Sequence, residues 1–343
     1  MPKKLKILGL SNQDSGVYFY RVTQPLEHIG KQKLANIHHL PIYGQHNDHF
    51  TTKKYIEYFA KEAKWADVIM TTTPSDREYL SLVLAMRERG KCKLVVDVDD
   101  DLLSAHLEPT SPAYQPFNDA SRRLTEYSQF SMQVADLLIV STEYLKKKFS
   151  TINKNIVVIN NCIDTDFFKY INVPDKVTVG YAGSGSHQAD WNMIEPILHK
   201  LRQNYDFKIK VLSPVQMGAS IDSQIKWTEF MKYPEYLTSL GFGIGLAPLK
   251  DNLMSRAKSN LRWLEYSALK IPTIASDVVP FRGIKNILLA TEPEDWERHL
   301  LRLMKEPDFR TELGLNAYNE MKENYDPRKW SRKLYYAIRG LYK

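Results

Sequence analysis

Cysteine is the scarcest chemical resource in this sequence. Cys92 and Cys162 are the only two among 343 residues, too few for a disulfide framework, and neither has a Cys or His partner at zinc-ligand spacing. His38-His39 and His46…His49 resemble ligand pairs but lack a third ligand in register, so they read as structural or surface residues. Long apolar runs are also missing: none approaches the roughly 20 residues of a membrane span. The opening MPKKLKILGL has too short an apolar stretch for a secretion signal. The expected location is the reducing cytoplasm. Low-complexity segments and short internal repeats are absent too, which argues against linkers and solenoids.

What is present is an ordinary globular composition, 43% hydrophobic and 25% charged. At this length the chain exceeds one ordinary core and suits two domains. The net charge of +7 suggests an anionic partner without naming it. The excess is +2 up to Asn172 and +5 beyond it, so it is spread along the chain. The C-terminal stretch is the exception, with Arg328, Lys329, Arg332, Lys333, Arg339 and Lys343 against Asp326.

Short β-rich runs alternate with helical stretches. Strands are predicted at 5–10, 35–40, 67–71, 93–98, 136–140 and 155–160, with helices between them. After the turn-like Asn172-Val173-Pro174-Asp175 the pattern restarts, with strands at 176–183, 207–212, 225–230, 242–249, 271–276 and 286–290. The prediction is an α/β chain of two doubly wound, Rossmann-like domains: 1–172, 173–325 and a terminal basic helix over 326–343.

In such sheets ligands bind beyond the carboxyl ends of the strands. After the first strand, SNQDSGVYFYRV contains Gly16, which lets a ligand approach the backbone just before a helix. After the first strand of the second half, AGSGSHQAD contains Gly183, Ser184, Gly185 and Ser186, small residues leading to a helix start that suits a phosphate. DVDDDL ends another strand with Asp97, Asp99, Asp100 and Asp101, a set compatible with a metal or with acid–base work.

The stretch SRAKSNLRWLEYSALKIPTIASD, 255–277, reads as one helix running into a strand. Leu261, Leu264 and Ala268 form its apolar stripe, with Ala257 near it, and Lys258, Arg262 and Glu265 at i, i+4, i+7 form a charged stripe beside that one. Taken alone, Arg262 and Glu265 make a solvated ion pair.

Together these segments resemble a GT-B glycosyltransferase, most similar to the retaining family-4 group, over nearly the whole chain. NNCIDTDFF resembles the family's domain junction, GYAGSGSHQAD its loop after the first strand of the donor domain, and GLAPLKDN…KSNLRWLEYSALKIPTIAS its donor-binding helix and following strand. The resemblance implies two Rossmann-like domains facing a cleft, with a final helix that can cross back to the first domain. It implies a retaining transfer from a UDP- or GDP-type sugar to a hydroxyl, by front-face substitution assisted by the leaving diphosphate. Domain closure would exclude water.

The resemblance also assigns residues. Glu265 matches the second glutamate of the family's paired-glutamate motif, which grips the donor ribose. Lys258, Ser259, Asn260 and Arg262 would hold the diphosphate with the helix N-terminus, alongside Gly16 and Gly183 to Ser186. Asp99 or Asp100 would position the acceptor hydroxyl, and His187 stands where the family's loop cations are not evident. The first glutamate of the motif falls on Ala257, a departure. No cofactor or metal is expected, the nucleotide sugar being a co-substrate. The acceptor stays open among saccharide, lipid and hydroxymethylated DNA, the last making the chain a viral-type DNA glycosyltransferase. A catalytically silent scaffold that binds nucleotide or nucleic acid is the non-enzyme alternative.

Overall fold

The computed structural model describes residues 3–11, 15–41, 53–107, 119–168, 177–216, 218, 221–226 and 229–342. His46, His49, the 172/173 boundary and the Asn172–Asp175 turn lie outside them. The chain divides into two compact units. One comprises Met1–His106, Gln115–Asn161 and Pro327–Lys343, and the bulk of the other is Cys162–Asp326.

The first unit runs β1 (Lys6–Ser11), α1 (Gly16–Tyr18), a π-helical turn at Phe19–Thr23, α2 (Gln24–Lys31), β2 (Asn36–Pro41), α3 (Lys53–Trp65), β3 (Val68–Thr72), α4 (Arg77–Gly90) and β4 (Lys93–Val98). It continues through a 3-10 turn at Leu102–Leu107 to α5 (Asp119–Val134), β5 (Leu137–Val140), α6 (Glu143–Phe149) and β6 (Ile156–Val158). The six strands are parallel in the order β2-β1-β3-β4-β5-β6. β5 is buried along its whole length and β3 along nearly all of it, as apolar strands covered on both faces must be. Helix starts follow local capping: the Asp76 carboxylate accepts from Tyr79 N, and the Thr142 hydroxyl accepts from Leu145 N.

The second unit runs β7 (Thr178–Ala182), a 3-10 turn at Gly185–His187, α7 (Gln188–Arg202), β8 (Lys208–Leu212), β9 (Ser223–Ile225), a 3-10 turn at Phe230–Lys232, α8 (Tyr233–Ser239) and β10 (Ile244–Ala247). Then come α9 (Leu253–Ala257), α10 (Leu261–Ala268), β11 (Thr273–Ser276), β12 (Leu288–Ala290), α11 (Pro293–Lys305) and α12 (Pro307–Asn324). Its strands are also parallel, in the order β12-β11-β10-β7-β8-β9. α13 (Pro327–Gly340) returns to the first unit, where it packs on α2 and contributes Leu334, Tyr335 and Ile338 to that core.

Each sheet reverses its direction of growth beside its first strand, between β1 and β3 and between β7 and β10. Those switch points are where a parallel sheet leaves a crevice at its carboxyl edge. Two expectations need correction. The strand predicted at 225–230 lies earlier, at Ser223–Ile225, and Phe230 already begins a 3-10 turn. The helix predicted across 255–268 is broken: α9 ends at Ala257, Lys258 is extended (φ −62°, ψ 156°), and α10 starts at Leu261. Lys258 therefore reaches its surroundings from a junction between helices, off the stripe that carries Arg262 and Glu265.

Candidate functional site

The residues that the sequence groups as donor-binding gather at the β7–β10 switch point, Gly16 and the Asn260 side chain apart. Tyr266 of α10 sets the geometry. Its hydroxyl donates to Leu246 O (3.1 Å) and accepts from Ala182 N (2.9 Å), pinning the helix across the carboxyl ends of both strands. The ring lies so close to β10 that a Cβ on Gly245 would sit 2.6 Å from it, so a larger residue there would lift α10 off the sheet.

From that helix, Arg262 Nη1 donates to Glu265 Oε2 at 2.6 Å and to the Tyr233 hydroxyl at 2.5 Å. Tyr233 in turn donates to Glu265 Oε2 at 2.9 Å. Burial holds the Tyr233 pKa well above that of an ordinary phenol, with Arg262 opposing, so the phenol remains a donor. The solvated ion pair expected from spacing alone is corrected here: the Glu265 side chain is 5% exposed and that of Arg262 is 23%. The carboxylate is enclosed and oriented, while the Arg262 side chain stays partly exposed.

Arg262 lies near the end of the β7 loop, close enough to act on His187. Gly183 is buried against Tyr181, where a Cβ would sit 2.6 Å from the hydroxyl, while Ser184, Gly185 and Ser186 are exposed and the two serine hydroxyls lie 2.7 Å apart. The loop ends at His187, whose Nδ1 is 2.7 Å from Asp190 Oδ2. Asp190, 2% exposed, accepts through Oδ1 from Lys250 N at 2.8 Å and so ties the β7 loop to the loop after β10. Burial lowers the His187 pKa below its ordinary value. The Asp190 hydrogen bond opposes this, and Lys258 and Arg262 lie near enough to depress it further. At neutral pH the junction thus presents the cations Lys258 and Arg262 beside a neutral imidazole.

Ser259 is half-buried at the same junction. Asn260 is turned away: its side-chain amide donates to the Tyr325 hydroxyl at 2.9 Å, leaving the helix start without a side-chain cap. Ala257, where the first glutamate of the paired motif falls, is fully buried. Gly16 lies in the first unit, at the start of α1, whose N-cap Ser15 hydroxyl accepts from Tyr18 N.

The acidic strand end separates into two pairs of roles. Asp97 is 1% exposed and accepts both Arg21 Nε and Nη2 at 2.8 Å, and Arg21 Nη1 also reaches Ile159 O (2.7 Å) and Asn161 Oδ1 (2.9 Å). Burial raises the Asp97 pKa and the guanidinium pulls against it. Asp101 is buried and paired with Lys148. Asp99 and Asp100 are half-buried at the carboxyl end of β4, where Ser141 Oγ donates to Asp99 O at 3.2 Å. Sequence reasoning missed Arg21, Asp190, Tyr233 and Tyr266 as site-building residues. All four act on partners far along the chain or through a strand end, and only the loop spacing around Asp190 offers a local signal.

No protein-family model matches the sequence, and no curated protein sequence matches it. Solved structures do. Anabaena HepE, in complex with UDP and glucose, aligns with a TM-score of 0.66 at 12% identity over 98% of this chain and 99% of that one. An alpha-glucosyltransferase in complex with UDP aligns with a TM-score of 0.68 at 11% identity over 98% and 100%. The same kind of enzyme with UDP and a 13-mer DNA containing an A:G mismatch gives 0.65 at 12% identity over 98% and 100%. With two six-stranded parallel sheets in series, the chain has the GT-B fold.

Proposed function

We propose that this protein is a glycosyltransferase that moves a sugar from a UDP-sugar to a hydroxyl acceptor with retention at the anomeric carbon. The observation that carries the reading is the Arg262–Glu265–Tyr233 trio at the second sheet's switch point, with Arg262 and Lys258 near His187 at the end of the β7 loop. A nucleoside diphosphate offers a ribose diol and an anionic diphosphate. Glu265, held in orientation by two donors, is an acceptor for the diol. Lys258, Arg262 and the α10 N-terminus supply positive potential for the diphosphate, and Gly183 to Ser186 let it approach the backbone. The solved neighbours carrying UDP support the choice of base.

In the reaction, the bond from the anomeric carbon to the diphosphate oxygen breaks and the acceptor oxygen bonds to that carbon on the same face. The acceptor proton passes to the departing diphosphate. Lys258 and Arg262 stabilise charge growing on that leaving group. His187, neutral and fixed by Asp190, serves as a hydrogen-bonding partner at the same place. Asp99 or Asp100 positions the acceptor hydroxyl, and the protein works in the cytoplasm without a metal ion.

A second acceptor reading, hydroxymethylated DNA, is favoured by the likeness to an alpha-glucosyltransferase solved with DNA. Mass spectrometry after incubation with UDP-sugars, with and without hydroxymethylated duplex, separates the readings. Sugar on the duplex supports the DNA acceptor. Transfer only to saccharide or lipid hydroxyls excludes it, and UDP binding without transfer or donor hydrolysis leaves a silent scaffold. Turnover should survive EDTA; loss restored by Mg²⁺ or Mn²⁺ would overturn the metal-free reading.

A further inference from the structure

The six strands of the first unit are parallel, so every residue just ahead of a strand lies on one edge of the sheet, opposite the carboxyl edge where ligands bind. That amino edge is lysine-rich. Exposed Lys3 and Lys4 precede β1, Lys33 precedes β2, Lys91 precedes β4 and Lys154 precedes β6.

α13 is fastened to the same edge at both of its ends. Gln32, just past the C-terminus of α2, donates to Arg328 O and Ser331 Oγ and accepts from Arg332. At the far end the Tyr342 hydroxyl donates to Asp67 O, immediately ahead of β3. The helix buries Leu334 and Ile338 and turns Lys329, Arg332, Lys333 and Tyr336 outward.

Asp67 and Asp136, the acidic residues just ahead of β3 and β5, are already engaged. Asp67 accepts from Lys6 N and pairs with Lys3, and Asp136 takes Arg87, Lys93 and Leu94 N. Glu88 is exposed there. The outcome is a basic surface about 24 Å wide across six strands at the usual spacing.

We propose that this amino edge, completed by α13, docks on an anionic phospholipid bilayer. The charge is carried mostly by lysines spread along one edge, ahead of β2, β1, β4 and β6, a layout that suits a plane of diffuse negative charge. Tyr336 and Tyr342, 60% and 47% exposed, add amphipathic rings of the kind that settle at headgroup level. Because the apolar face of α13 is used inside the unit, attachment is electrostatic and reversible. The surface lies on the opposite edge of its sheet from Asp99 and Asp100, so α13 does not supply contacts to an acceptor at the carboxyl edge.

The test is co-sedimentation of the full chain with vesicles of equimolar phosphatidylglycerol and phosphatidylcholine, against phosphatidylcholine alone, at low and physiological salt. Binding is expected to the anionic vesicles only and to weaken with salt. A basic group near an anionic leaflet contributes roughly fivefold in partitioning. Lys4→Gln, Lys33→Gln, Lys329→Gln and Lys333→Gln together should therefore cut binding at least about a hundredfold, with the circular dichroism spectrum and melting temperature unchanged. A control removing equal charge from the second unit, at Lys208, Lys226, Lys305 and Lys322, should lose far less. Equal losses in both variants would mean that net charge alone acts, and would overturn the proposal. So would undiminished binding by the first variant, or tighter binding of a duplex oligonucleotide abolished by the same four changes, which would make nucleic acid the occupant.

Discussion

Each unit holds an arginine–carboxylate pair near the carboxyl edge of its sheet, and the two pairs differ in how they are closed. In the first unit Arg21 and Asp97 have side chains 2% and 1% exposed, and the guanidinium is shared among Asp97, Ile159 O and Asn161. In the second unit Arg262 remains 23% exposed and shares Glu265 with Tyr233. A sealed pair cannot meet a ligand without leaving a buried charge uncompensated. An open pair can, because part of the Arg262 side chain is already exposed. The first fixes Asn161, the last residue before the chain enters the second unit; the second is the proposed donor grip.

The contrast is broken most severely by removing one member of the sealed pair. Asp97→Asn should lower stability by about 3–5 kcal/mol, read from chemical denaturation. The matching change Glu265→Gln keeps an oxygen for Tyr233 and leaves Arg262 partly solvated. It should cost less stability than Asp97→Asn, because the Arg262 side chain stays partly exposed, while weakening UDP binding by about 1.5–3 kcal/mol. Similar stability losses in the two variants would erase the distinction.

A smaller effect is expected from Tyr233→Phe, which removes one hydrogen bond to the carboxylate. UDP affinity should fall by about 1 kcal/mol, and an unchanged calorimetric titration would remove Tyr233 from the site. The smallest effect concerns pH. Burial lowers the His187 pKa from its ordinary 6.5, so the unfolded chain binds the proton first. Stability is then lost as pH falls from about 6.5 toward the folded value. Denaturation across that range should show a shallower fall in His187→Gln than in the parent; identical slopes would show that His187 is not neutralised by folding. The slope will not vanish, because His39 and His299 are lowered by burial in the same direction.

Much of the architecture is legible in the sequence because parallel strands buried on both faces leave continuous β-branched runs such as KLVVDV. The break between α9 and α10 is not. SRAKSN carries no proline or glycine, and the interruption comes from tertiary demands: Asn260 turns to Tyr325, and Tyr266 must reach two strand ends. β9 was hidden for a related reason, since IKWTEF has strand composition while the observed pairing of β8 with β9 starts at Ser223. In the site, the helical spacing of Arg262 and Glu265 was readable because i, i+3 neighbours share a face. Arg21 and Asp97 lie 76 residues apart, and Tyr233 and Glu265 lie 32 apart. Neither pairing leaves a local trace, so DVDDDL could not be divided from sequence into the locked Asp97 and Asp101 and the half-buried Asp99 and Asp100.

The central claim is that the second unit grips a uridine diphosphate through Glu265 at the β7–β10 switch point. Calorimetric titration of UDP into the parent protein and into Glu265→Gln tests it most directly. The account predicts saturable one-site binding by the parent and an affinity lower by about 10- to 150-fold in the variant, the range that corresponds to a hydrogen bond to a charged group. Equal affinities in the two proteins, or no UDP binding by the parent, would contradict it.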